Sequence, residues 1–293
     1  MKKVVVALII AAGVLTTVGG VLIGASIKTT GIDSQLTSKE YSFDSFSNID
    51  IDTGISNINF KKSADDKCKV ECVEKDRLYH EVKVEDDTLK INSVDNLRFY
   101  EKVFGYNSLR VDIHLPEKEY VNLKIHNSTG DIKFNEGFSF DSFKVDVSTG
   151  KVNLKDIISN SFEISTSTGD IGVESLTTNE AKIKASTGKV TLKKVEASNM
   201  SVETSSGKVA LKDVIVGEHL AVHTSTGDVT LNDCDAKTIA IKTSTGDVKG
   251  ILLSNHKFVT TTSTGKVNVP NTDGELCEIE TSTGDIYMEI KQA

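Results

Sequence analysis

The sequence predicts an all-β protein: a parallel β-solenoid, or β-helix, of about nine 19–20-residue coils, with a smaller N-terminal β cap and an N-terminal transmembrane helix. Three observations predict it. One phrase, Ser-Thr-Gly followed by Asp or Lys and then Ile or Val, recurs nine times between Ser128 and Ile286, with Ser205-Ser206-Gly207 as its one departure. Its glycines (Gly130, Gly150, Gly169, Gly188, Gly207, Gly227, Gly246, Gly265 and Gly284) stand 19 or 20 residues apart, a period that marks stacked structural units. Around each glycine, apolar and polar residues alternate, the pattern of a strand with one buried face.

Taken in order, residues 1–27 read as an uncleaved signal anchor. Lys2 and Lys3 precede an uncharged run, Val4 to Ile27, whose 24 residues would reach about 36 Å as a helix, enough to span a bilayer. A positive N-terminus stays inside, so the chain beyond it is expected outside a cell membrane crossed once. A cleaved signal peptide fits less well, because the run is long and Ile23 is not the small residue that cleavage needs. Residues 28–40 are polar and aperiodic, a linker.

Residues 41–120 carry short alternating stretches with turn residues between them, Asp86-Asp87 among them, and are expected to cap the column. Asp52-Thr53-Gly54 resembles a worn copy of the repeated phrase. Residues 121–293 form the array. With each coil numbered from its glycine, positions −7, −5, +2 and +4 are apolar and +7 mostly so, which predicts strand, sharp bend at glycine, strand, then a loop. Glycine suits the bend because it accepts positive φ. The two 20-residue spacings place their extra residue near 136–142 and 216–218, where loops tolerate insertion.

Several residue patterns bear on function. The residue after each glycine forms a ladder of Asp and Lys in which, for sequential stacking, six of eight steps join opposite charges; it is expected to fix register and blunt aggregation. A calcium row is not expected, since Lys interrupts the acids. Thr-Ser-Thr at −3 to −1 is expected to turn its threonines inward and satisfy backbone groups. Ice binding is the sharper reading of the same rows. Cys68, Cys72, Cys234 and Cys277 fall at inward positions and read as small core residues, although a Cys68–Cys72 bridge or metal pair is the alternative.

A net charge of −8 without a basic block gives no footprint for nucleic acid. Parallel β-helices also carry polysaccharide-active enzymes, but the array has no Arg, no Trp and nearly no insertion to house a cleft. No catalytic residue, metal ligand or cofactor is expected. The irregular stretch 98–106 concentrates Phe99, Tyr100, Phe104 and Tyr106. It is expected to lid the N-terminal end, helped by Phe134, Phe138, Phe140 and Phe143, or to contact a partner.

The repeats, Leu115-Pro116 closing a strand before them, and the N-terminal anchor together resemble the LiaG-like, "putative adhesin" domain family of bacterial envelope proteins. The resemblance covers roughly 41–293. It implies a β-solenoid at the cell surface, and supplies no catalytic or binding residues. The expected function is thus a membrane-anchored, non-enzymatic, adhesin-like interaction or scaffolding protein meeting an envelope protein or a cell-wall component. A regulatory partner in an envelope-stress response is the alternative.

Overall fold

The computed structural model describes residues 16–17, 20–23, 36–97 and 109–291. Among them there is no helix, and none long and apolar enough to cross a membrane. The expected anchor lies outside the described residues apart from Thr16–Thr17 (β1) and Gly20–Ile23 (β2), drawn as short antiparallel strands.

The column begins earlier than the phrase does. Asn48–Lys62 (β4) pairs in parallel with Glu119–Thr129 (β9) through its first half and with Ile132–Phe134 (β10) through its second. It is therefore the first coil. Its register corrects the worn copy by two residues: Ile55 lies beside Thr129 and Ile58 beside Ile132, so Ser56, not Gly54, stands at the corner that glycine holds below.

Five later coils are nearly all strand: Val152–Thr168 (β12), Ile171–Thr187 (β13), Val190–Ser206 (β14), Val209–Thr226 (β15) and Val229–Thr245 (β16). In these five the expected loop is absent, while short loops stand at 135–137, 253–255 and 269–274 in other coils. Instead the inward-outward alternation breaks three times per coil, where two exposed residues follow one another and the ladder skips one: at Asp156, Asn160 and Ser167 in β12. Three short sides thus enclose the core. One corner, at +6, is turned by Asp156, Ser175, Lys194, Asp213 and Asp233 at φ between 53° and 64°. Asp tolerates that left-handed region by bonding locally, which is why no glycine announces the corner. A further inward position follows at +9, filled by Ser159, Thr178, Ala197, Val216 and Ala236. The extra residue of the 20-residue spacing near Gly217 falls at a corner, where the ladder shifts between Val216 and His219.

The glycine corner is governed by close approach. A Cβ on Gly150 would lie 2.0 Å from the carbonyl oxygen of Gly130, and one on Gly188 equally close to that of Gly169. Gly207 lacks a left-handed φ, yet its Cβ would meet Gly188 O at 1.8 Å. Packing coil on coil, not φ alone, demands glycine there.

Stacking follows sequence down to Gly246 and then departs from it. Glu275–Thr283 (β20) pairs with β16 on one side and with His256–Thr264 (β18) on the other. Val248–Leu252 (β17) likewise pairs with Ile286–Ile290 (β21), which pairs with Val267–Asn268 (β19). The order in space is Gly246, Gly284, Gly265: the last repeat is slotted beneath the one before it. The Asp–Lys ladder changes accordingly. Reading Asp131, Lys151, Asp170, Lys189, Lys208, Asp228, Asp247, Asp285, Lys266, five of eight steps join opposite charges, not six.

The opposite end is closed. Thr88–Asp95 (β7) and Leu109–Leu115 (β8) lie parallel on the two halves of β4. Leu78–Glu85 (β6) then runs antiparallel to β7, Cys68–Lys75 (β5) antiparallel to β8, and Leu36–Phe43 (β3) antiparallel to β5. Asp86 and Asp87, both at positive φ, make the tight β6–β7 turn.

Candidate functional site

Three places in this frame hold groups that could do chemistry or meet a partner: the ladders along the column, its bare end, and a polar cluster under the cap. The aromatic stretch with Phe99, Tyr100, Phe104 and Tyr106 lies outside the described residues. Phe134, Phe138, Phe140 and Phe143, expected to help it form a lid, are core residues instead. Phe134 stacks on Phe60 at 4.0 Å and Phe143 on Phe162 at 5.0 Å, filling the first coils from inside.

The ladders are occupied by structure. Every Asp that follows a repeat glycine accepts the backbone N–H of the next coil in space: Asp131 from Lys151, Asp170 from Lys189, Asp228 from Asp247, Asp247 from Asp285 and Asp285 from Lys266. Asn57 does the same for Asp131 in the first coil. This explains why Asp228, Asp247 and Asp285 can stack despite like charge. A hydrogen bond from Lys208 holds Asp228 below the usual carboxylate range, and one from Lys249 does so for Asp247.

The threonine rows are also structural. At −3, Thr166, Thr204, Thr224, Thr243 and Thr281 are buried, and the hydroxyls of Thr166, Thr243 and Thr281 donate to glycine carbonyls of the corner. The threonines at −1 face outward, because the corner breaks the parity that would have turned them in. His219 bonds Thr238 across coils at 2.8 Å. Cys68, Cys72, Cys234 and Cys277 are all free and buried, and burial pushes the Cys68 and Cys277 thiols up to about 12.

The bare end is the last coil in space. Val267 stands at +2, an inward position that is 0–1% exposed at Val190, Val209 and Val229, yet here it is 45% exposed. Val259 on β18 and Leu276 on its neighbour β20 are also exposed, and Phe258 is only partly covered. Among the described residues β18 pairs on one side alone, and from Phe258 to Thr264 it carries no charge, Gly or Pro. Unpaired strands without such guards are templates for another strand.

The polar cluster sits where the cap meets the glycine corner. β5 and β6 share a single bridge, Lys75 with Leu78, and then part to opposite sides of the column. The Glu74 carboxylate takes the backbone N–H of His80 that this parting frees, at 2.8 Å. Its other oxygen meets Lys39 Nζ at 2.5 Å. His80 Nε2 lies 2.8 Å from Ser56 Oγ, so the cluster plugs the top of the corner. Cys72 faces the same point, and the sulfur, a Glu74 oxygen and a His80 ring nitrogen all lie within 4.8 Å of one another. Sequence reasoning expected no metal ligands and missed this convergence. Its only trace was Cys72 and Glu74 two apart on one strand face.

The geometry defines a class first: a capped parallel β-solenoid of small, three-cornered coils with an asymmetric pair of ends. The chain belongs to the Toastrack DUF4097 family, whose model matches residues 46–286. No curated protein matches it. Among solved structures, it is similar to one from Parabacteroides merdae described as a "putative adhesin", at 17% identity and a TM-score of 0.56, covering 88% of this chain and 98% of that one. A second, from Bacteroides fragilis and described in the same words, matches at 16% identity and a TM-score of 0.50, covering 88% and 100%. At these identities the likeness is one of fold.

Proposed function

We propose that this protein is a membrane-anchored, non-enzymatic, adhesin-like surface protein whose column holds its bare end away from the membrane for a protein partner. Residues 1–27 act as the single-pass anchor and the cap lies nearest to it. The coil of β18 and β19 stands farthest away. The carrying observation is the 45% exposure of Val267 at a position buried in other coils. An open edge of uncharged β-branched residues fits a partner that adds an extended strand, by main-chain hydrogen bonds and alternate side-chain contacts. The adhesin descriptions of the two similar structures support the same class of role.

The test uses full-length protein on intact cells with a photo-crosslinking residue at Val259, and at Ile158 (exposed at mid-column) as control. A protein adduct formed at 259, absent at 158 and lost when Thr261 is changed to Lys, is the expected result. Equal labelling at both sites, or labelling indifferent to the added lysine, overturns the reading. External protease added to the same cells should degrade residues 41–293; protection behind a sealed membrane would remove the proposed topology.

A further inference from the structure

We propose that Cys72, Glu74 and His80 bind a divalent transition-metal ion of the zinc class beneath the cap. The three residues are 0%, 0% and 1% exposed, and their ligand atoms converge within 4.8 Å. A buried thiolate, imidazole and carboxylate form a mixed sulfur, nitrogen and oxygen set. Zinc and cobalt accept such a set in tetrahedral geometry, while calcium and magnesium, which want oxygen alone, do not.

Each ligand is prepared by its neighbours. His80 Nδ1 is buried without a well-formed hydrogen bond, and Glu74 Oε2 is 3.4 Å away. Two ligands held about 2.0–2.2 Å from a tetrahedral ion stand roughly 3.4 Å apart, so this pair already has the spacing of one tetrahedron edge. The other ring nitrogen is held by Ser56 Oγ, the outer partner that a metal-bound histidine ordinarily has. With the ring proton on Nε2 donating to Ser56, Nδ1 presents its lone pair to the ion.

Glu74 is available as a carboxylate. Its oxygens accept the His80 backbone N–H at 2.8 Å and meet the Lys39 ammonium, partners that a carboxylate takes. Cys72 binds as the thiolate, its proton leaving to solvent as the ion takes its place. Thiolate and carboxylate then neutralise the dication. Of the three ligands His80 also lines the groove bounded by Lys39, Tyr41 and Tyr79, from which a water or the Tyr41 hydroxyl would complete the shell. An ion here would pin β5 to β6 at the point where their ladder gives out, closing the cap on the glycine corner.

The competing account is a metal-free plug in which His80 merely donates a long hydrogen bond to Glu74. Full-length protein, unfolded and refolded with Co²⁺, separates the two. A bound ion gives 1:1 stoichiometry, intense visible ligand-field absorption and a sulfur-to-cobalt charge-transfer band. Cys72→Ser should abolish that band, whereas Cys68→Ser, a buried thiol four residues away, should keep it. Zn²⁺ should displace the cobalt and raise the melting temperature of the wild type, while Ser56→Ala weakens binding about 10-fold. Refolded wild type that takes up less than a stoichiometric amount of either metal overturns the proposal. So does a charge-transfer band indifferent to Cys72→Ser. Since wild type alone decides the first outcome, a variant that fails to fold does not obscure the result.

Discussion

The two ends of the column solve one problem in opposite ways. A stack of parallel coils leaves an unpaired strand and an open core at each end. At the N-terminal end, antiparallel strands turn across the opening, and one outer strand, β6, carries Glu81, Lys83 and Glu85 along its edge. Residues from Tyr41 to Cys72 there join the core continuously. At the other end nothing among the described residues covers β18, its edge bears no charge from 258 to 264, and core positions meet solvent. The same repeat is thus capped at one end and left bare at the other. An end that is sealed needs no partner; one that is bare exposes surface a partner would cover.

The sharpest way to break this contrast is to place one charge at equivalent positions. Val190→Asp, at a site 0% exposed, should cost on the order of 4 kcal/mol and unfold neighbouring coils. Val267→Asp, 45% exposed at the same position of the bare coil, should cost under about 1 kcal/mol. Equal losses in denaturant melts would mean that the end is covered after all. Next in size is a methyl group at glycine. Gly188→Ala drives a Cβ to 2.0 Å from a backbone oxygen and should cost about 2–4 kcal/mol. Gly54→Ala in the first coil meets nothing closer than Ser93 Oγ at 3.5 Å and should stay within about 0.5 kcal/mol of wild type.

The cap should also respond to acid more than the column. Glu74 is held below its ordinary value when folded, so its stabilisation is present above the unfolded carboxylate value and is lost as pH falls through the folded one. Glu74→Gln should flatten that acid limb of the stability curve; an unchanged slope would show the cap indifferent to this carboxylate. The smallest effect belongs to the exposed ladders. Lys144 meets Glu163 at 2.9 Å with both side chains about half exposed, and Lys144→Ala should cost under about 0.5 kcal/mol.

What could be read in advance follows from periodicity. The coil pitch, the inward positions −7, −5, +2 and +4, and the glycine corner repeat often enough to be legible without coordinates. The +6 corner was hidden because Asp, Ser and Lys turn it, none of which signals a break by itself. The exchanged order of the last two coils was hidden for the opposite reason. Nine near-identical phrases stack on one another equally well, so the order is chosen by two aperiodic connections. In the first, His256 bonds Asp235 at 3.0 Å and Glu275 O at 3.2 Å; in the second, Thr272 donates to His256 O. The Cys72–Glu74–His80 cluster depends on two strands diverging after one bridge, and no local pattern encodes a divergence.

That exchange also has a meaning in time. Coils made earlier can zip together as they emerge, each upon its predecessor. The coil of Gly265 is synthesised before that of Gly284 but must rest upon it. The column therefore cannot be finished in the order of its manufacture. Its terminal coil waits, unsupported, for residues 275–290 to slide in beneath it. A chain that stops before residue 275 lacks an inner storey and not the roof, so the bare end is assembled only once residues 275–290 have been made.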